Sequence, residues 1–412
     1  MRSGERLGMR GDTNEVSKGG NVRTRSCTAP LLLVVLGIVI SSASAQTLGV
    51  TSNSIFIGSC SALEGPAGFL GNQTVMGATA YLHSVNDQGG VFGRKVQLLS
   101  YDDGYDPEKA PGCFKRMTTE NVFALGFFVG TPTAAVYLPM AQEAKIPVVG
   151  LFTGAQMLYE PLKHYIINVR ASYYDETLEQ VDKLWDVNVH KVGVIYQNDA
   201  FGKTVLEGVK QALERHHSAP VALGTFERNT VDVDPGLKEV MAARPQAVVL
   251  VGPYAPVAAI VKKAHAAAWR PQFLTVSFVG TEQFIDEAGS DAEGTIITQV
   301  VPPYDRTDYP TVALYRKCLE KYYPATPPSF VSLEGFVDAM VLMEGLRRAG
   351  EDLTREKFIT AIESIHDMNF GLGPLLVLNY SATRHKGFDR VYPTVVRNGR
   401  PVPISDWQTL GK

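Results

Sequence analysis

Residues 191–202 read KVGVIYQNDAFG, and their order decides the fold class. The apolar, β-branched half (191–196) is a buried strand, and the polar break at Asn198-Asp199 leads straight into a helical pattern over 201–216. The same alternation continues downstream. Strands are expected at 222–226, 247–251 (AVVLV), 272–276 and 295–298, and helices at 235–243 and 255–268. Upstream, a helix over 174–187 opens this block. An earlier block, ending at 166–170 before the second begins, repeats the rhythm with strands at 54–59 (SIFIGS), 96–101, 123–129 and 147–151. Its helices fall at 71–86, at 107–119 with Asp106 as N-cap, and at 133–145. Strands that alternate with helices imply α/β architecture with parallel sheets and right-handed crossovers. The tail departs from this. Three helices (310–323, 330–349, 354–365) and two extended stretches (371–380, 390–397) cannot build a third such sheet, so they pack on the two existing lobes.

The chain has 412 residues, 45% hydrophobic and 20% charged, a globular composition long enough for two or three domains. A formal net charge of −3 without a basic stripe argues against nucleic-acid binding. Residues 1–45 stand apart. Arg23 and Arg25 precede an apolar run at 31–40, and Ala43-Ser44-Ala45 follows, the pattern of an export signal cut near Ala45. Ten apolar residues rise about 15 Å as a helix, half of a bilayer core. The remaining cysteines, Cys60, Cys113 and Cys318, permit one disulfide with one thiol left over, and the pairing stays open.

No nucleophile elbow, phosphate loop or H-E-x-x-H pair occurs, so no catalytic residue, cofactor or metal is expected. Asp102, Asp103 and Asp199 stand at strand ends and read as loop and helix caps. Gly65, Gly68 and Gly71 are spaced G-x-x-G-x-x-G, and Pro66 offers no N–H, which excludes a dinucleotide loop. Four strand-to-helix junctions are richer: Gly130-Thr131-Pro132-Thr133, Phe152-Thr153-Gly154, Ala200-Phe201-Gly202 and Pro253-Tyr254-Ala255. Ligands of open α/β sheets bind outside the carboxyl ends of the strands. Hydroxyls, free N–H groups and aromatics at matching ends of two lobes point to a shared cleft.

Glu64-Gly65-Pro66, Asn86-Asp87-Gln88-Gly89-Gly90, Asp102-Asp103, Asp106-Pro107, Gly130-Thr131-Pro132-Thr133, Ala144-Lys145-Ile146-Pro147, Arg170-Ala171-Ser172-Tyr173-Tyr174, Asn198-Asp199-Ala200-Phe201-Gly202 and residues 329–335 (SFVSLEG) together resemble the periplasmic solute-binding proteins of ABC importers, the branched-chain amino acid (Leu/Ile/Val-type) receptors. The likeness spans about 49–400. It implies a type I periplasmic binding protein, two Rossmann-like lobes joined by a three-segment hinge. Lobe 1 would hold 46–170 and 300–370, and lobe 2 171–299 and 371–412. It also implies a non-enzymatic, monomeric periplasmic protein that closes on a small-molecule carboxylate and delivers it to a membrane ABC permease; a ligand sensor of the same fold is the alternative. Carried over by position, Thr131, Thr133, Phe152 and Thr153 would hold the carboxylate from lobe 1. Phe201, Tyr254 and Phe278 would meet it from lobe 2, and Ser61 and Glu64 would line the mouth. Two departures bear on the ligand. The stretch Val276-Ser277-Phe278-Val279-Gly280 lacks the acid that pairs an amino acid's ammonium, and aromatics at 152, 201, 254 and 278 suit a flat aromatic acid. The family's disulfide near the end of the second strand is also missing, because Gly104-Tyr105 stand there.

Overall fold

The computed structural model describes Gly20 and residues 47–409, so the export signal expected over 1–45 lies, but for Gly20, outside the described residues. The first sheet consists of β1 (Ser54–Ser61), β2 (Lys95–Asp102), β3 (Ala124–Gly126), β4 (Val148–Val149) and β5 (Ile166–Ile167), in the order β2-β1-β3-β4-β5 and parallel throughout. Between these strands run α1 (Gly68–Asp87), α2 (Ala110–Thr119) and α3 (Thr131–Glu143). The second sheet places β6 (Val192–Gln197), β7 (Ala222–Phe226), β8 (Ala247–Val251), β9 (Gln272–Thr275) and β10 (Ile296–Gln299) in the order β10-β9-β8-β6-β7, again parallel. Its helices are α4 (Tyr173–Asp186), α5 (Ala200–Glu214), α6 (Asp234–Ala243), α7 (Tyr254–Ala266) and α8 (Thr281–Ala288). Every residue of β8 is buried, as a parallel strand covered on both faces must be.

The tail supplies α9 (Pro310–Tyr322), α10 (Phe330–Ala349), α11 (Arg355–Glu363), a small hairpin of β11 (Met368–Asn369) with β12 (Val377–Leu378), and finally β13 (Tyr392–Arg397) and β14 (Arg400–Pro403). The three helices join the first lobe. α10 lies so close to α1 that a Cβ on Gly77 would stand 1.8 Å from the Ser332 carbonyl oxygen. β13 and β14 extend the second sheet with antiparallel pairing, β13 against β10.

Several expectations shift. The helix expected at 107 begins at Ala110, because the Asp106 carboxylate accepts the Glu108 N–H and holds a separate turn, while Pro111 fits the first helical turn. The strand over 123–129 keeps regular pairing only at Ala124–Gly126, because Phe127 takes a φ of +63° and breaks the ladder. α8 and β14 were not legible as elements. The stretch 371–388 packs with lobe 1, where Leu372, Leu376, Leu378, Tyr380 and Phe388 share one apolar cluster with α10 and α11. Its backbone pairs with Asn168 through His385 and Gly387. The chain therefore returns to the second sheet only at Tyr392, later than the boundary set at 370. A disulfide joins Cys60, at the end of β1, to Cys113 in α2, and Cys318 is a buried free thiol.

Candidate functional site

The carboxyl ends of the two sheets face each other, and one apolar cluster runs across from lobe to lobe. On the first lobe the construction begins at Gly130. Its φ of +105° is closed to most side chains, and a Cβ there would stand 2.3 Å from the Tyr105 ring. The glycine lets Tyr105 lie over the start of α3. One residue on, the Thr131 hydroxyl meets that of Thr153 at 2.7 Å, both buried. The Tyr173 hydroxyl is also buried, next to Thr153, without a well-formed hydrogen bond of its own. Three hydroxyls at the positive end of a 13-residue helix make a site that favours an anion.

The second lobe answers with aromatics. Asp199 caps α5 by accepting the N–H groups of Phe201 and Gly202, and so fixes Phe201 at the cleft. Phe278 stands in a single 3-10 turn, Ser277–Val279, after β9. Its ring centroid lies 4.4 Å from Phe201, 5.5 Å from Phe152 and 5.9 Å from Tyr105, so it touches both lobes. Tyr173 packs on Phe201 at 5.3 Å.

Behind the rings Arg170, where the chain first crosses between the lobes, ties the two lobes together. Its guanidinium pairs Glu176 at 2.7 Å and Glu334 at 3.0 Å, donates to Ser277, and lies against the Phe152 and Tyr173 rings. Burial opposes its charge, yet Glu334 and Glu176 hold its pKa above the ordinary value. Burial, offset in part by Arg170, pushes Glu334 up to about 7, and burial with Glu334 as neighbour raises Asp338 well above the usual carboxylate range. Both Glu176 oxygens are engaged, one by Arg170 and the Ser277 hydroxyl, the other by the Ser277 N–H and Thr298.

The residues singled out by sequence separate into three groups. Thr131, Phe152, Thr153, Phe201 and Phe278 are brought together at the junction of the lobes. Thr133 turns its hydroxyl back to the carbonyls of Val129 and Gly130 and serves the helix start, while Ser61 is buried at the end of β1 with its hydroxyl unpartnered. Glu64 is exposed, and Tyr254 stands at the rim, where its hydroxyl accepts the Phe69 N–H of lobe 1 at 3.4 Å. Asp102 accepts three loop N–H groups, of Leu63, Glu64 and Gly104, the capping role expected of it. Sequence reasoning passed over Tyr105, Tyr173, Gln197 and Arg170. Tyr105 was legible only as the residue replacing a cysteine, although it follows the carboxyl end of β2. Gln197 closes β6 and donates to the Tyr105 hydroxyl across the lobes at 3.1 Å.

The sequence profile of periplasmic binding proteins matches residues 54–400. The chain belongs to the periplasmic binding protein family. It is 22% identical over 339 residues to Leu/Ile/Val-binding protein homolog 3 of Brucella melitensis biotype 1, covering 81% of this chain and 89% of that one. Its fold matches the crystal structure of a possible leucine/isoleucine/valine-binding protein from Rhodopirellula baltica SH 1 with TM-score 0.84 and 32% identity, over 89% of this chain and all of that one. A fatty acid ABC transporter substrate-binding protein from Thermomonospora curvata aligns with TM-score 0.80 and 22% identity, over 87% of this chain and 93% of that one. As a periplasmic binding protein the chain is a solute binder and not an enzyme. The lobes and their sheets are those of the type I fold. Among the described residues no helix of this binding protein is long and apolar enough to cross a membrane, and no side-chain cluster could hold a metal ion.

Proposed function

We propose that the protein captures a small carboxylate with a flat, apolar body between its lobes and delivers it to an ABC permease for import. The observation that carries this reading is the Thr131–Thr153 hydroxyl pair at the start of α3, one residue along the chain from Phe152, whose ring packs on Phe278, which in turn packs on Phe201. A carboxylate gains charge-assisted hydrogen bonds from hydroxyls and helix N–H groups, and its apolar body gains burial among the rings. Two relatives are named for leucine, isoleucine and valine and a structural neighbour for fatty acid, ligands that share a carboxylate and an apolar body. An α-amino acid fits this cleft less well. Its ammonium would need an acceptor of opposite charge, and Glu176, the carboxylate bonded to the Ser277–Val279 turn, is consumed by Arg170, Ser277 and Thr298. In this reading residues 1–45 direct export, and the mature chain acts as a monomer.

A thermal-shift panel of branched-chain amino acids, aromatic acids and short aliphatic acids tests it. A ligand at 100 times its Kd stabilises by about 2.7 kcal/mol, which raises Tm by several degrees. A response confined to aromatic acids is expected. A response confined to leucine-like compounds would overturn the aromatic reading.

A further inference from the structure

The cleft has a second polar face, and resting on the reading above we infer that the carboxylate carries a hydroxyl recognised by the side-chain carbonyl of Gln197. Gln197 is fully buried at the carboxyl end of β6, where the second lobe meets the first. Its amide nitrogen has two fixed acceptors, the Asp199 carboxylate at 2.6 Å and the Tyr105 hydroxyl of the opposite lobe at 3.1 Å. The Asp199 bond sets the orientation of the amide, because a carboxylate cannot donate to the carbonyl end. The oxygen Oε1 is thereby left buried and without a partner. A buried acceptor without a donor is unfavourable, and few native groups are left so.

The position of this oxygen relates it to the ligand. Tyr105, which fixes the amide, packs on Phe278, and Phe201 follows Gln197 by four residues and packs on the same ring. Phe278 also touches Phe152, which adjoins Thr153 and its hydroxyl pair with Thr131. The donors for a carboxylate and the free acceptor are thus parts of one aromatic cluster. A ligand bridging them needs an anionic end, an apolar body and a neutral hydrogen-bond donor. Gln197 carries no charge, so it does not compensate an ammonium, and a hydroxyl satisfies it in full. Asp103 also has an unpartnered oxygen, and its other oxygen holds the backbone N–H of Tyr105, not its hydroxyl.

Isothermal titration of the full-length mature protein with benzoate, the three hydroxybenzoates and their methoxy counterparts tests the assignment. At least one hydroxybenzoate should bind about ten- to a hundredfold more tightly than benzoate, and its methoxy ether should lose that gain. In Gln197→Met, which also removes the cross-lobe bond to Tyr105 and the bond to Asp199, both affinities should fall, and the ratio of hydroxybenzoate to benzoate affinity should drop to about one. Hydroxybenzoates that bind no better than benzoate would overturn the Gln197 assignment and leave the aromatic carboxylate reading standing. Binding of none of these acids would overturn that reading, and the assignment with it. A hydroxyl preference that survives in Gln197→Met would move recognition to another residue and also overturn the assignment.

Discussion

The Thr131 and Thr153 hydroxyls are 2.7 Å apart and buried, so each is already paired before any ligand enters, and neither is spent on the backbone as Thr133 is. Removing one should therefore harm binding more than folding. Thr131→Ala is expected to weaken the affinity for the best ligand about tenfold, with stability lowered by no more than about 1 kcal/mol. Titration alongside thermal melting of the same variant would separate the two, and unchanged affinity would place the anion elsewhere. At this scale the sequence showed a good deal. The threonines and aromatics at strand ends were visible, because the open edge of an α/β sheet is a place that residue order alone identifies. Tyr105, Gln197 and Arg170 were not, since their roles depend on partners 92, 92 and 164 positions away for the contacts Tyr105–Gln197 and Arg170–Glu334. Local pattern carries no information about such pairs.

Among the elements, α1 and α10 make one of the closest contacts. Gly77 brings the α1 backbone against the Ser332 carbonyl, leaving no room for even a methyl group. Gly77→Ala is expected to destabilise the protein by about 1–3 kcal/mol or more, because two buried helices must separate to admit it. Urea unfolding would show a lowered midpoint, and an unaltered midpoint would mean that the helices can slide. The strands and helices themselves were largely legible, with 222–226, 247–251 and 330–349 matching the observed bounds. Misreadings cluster where tertiary context overrides local signals. Phe127 turns the chain out of β3, Asp106 holds a turn ahead of α2, and the 371–388 stretch follows the apolar surface of lobe 1 instead of crossing at once.

For the molecule as a whole, the buried carboxyls set the response to pH. Burial, the leading cause for each, pushes Asp103, Glu282 and Glu334 up to about 7. Unfolded carboxyls titrate near 4, so between about pH 4 and 7 the native state holds more protons than the unfolded chain. Stability is then greatest at the acid end of that window and declines as pH rises through 7. Glu356, whose pKa is lowered by Tyr165 and then His164, acts oppositely, and its contribution is lost only as pH falls through its depressed pKa. The unfolding midpoint should be higher at pH 5.5 than at pH 8, with a shallower slope in Glu334→Gln. A midpoint that rises toward pH 8 would show that the Arg170 pairing outweighs burial. The arrangement of sulfur has a practical consequence as well. Cys60 and Cys113 are bound to each other and Cys318 is enclosed, so the described residues present no reactive thiol to solvent. A cysteine placed at exposed Glu64 would be a lone handle for a maleimide dye, and a change in its signal on adding a ligand would report whether this position follows the solute.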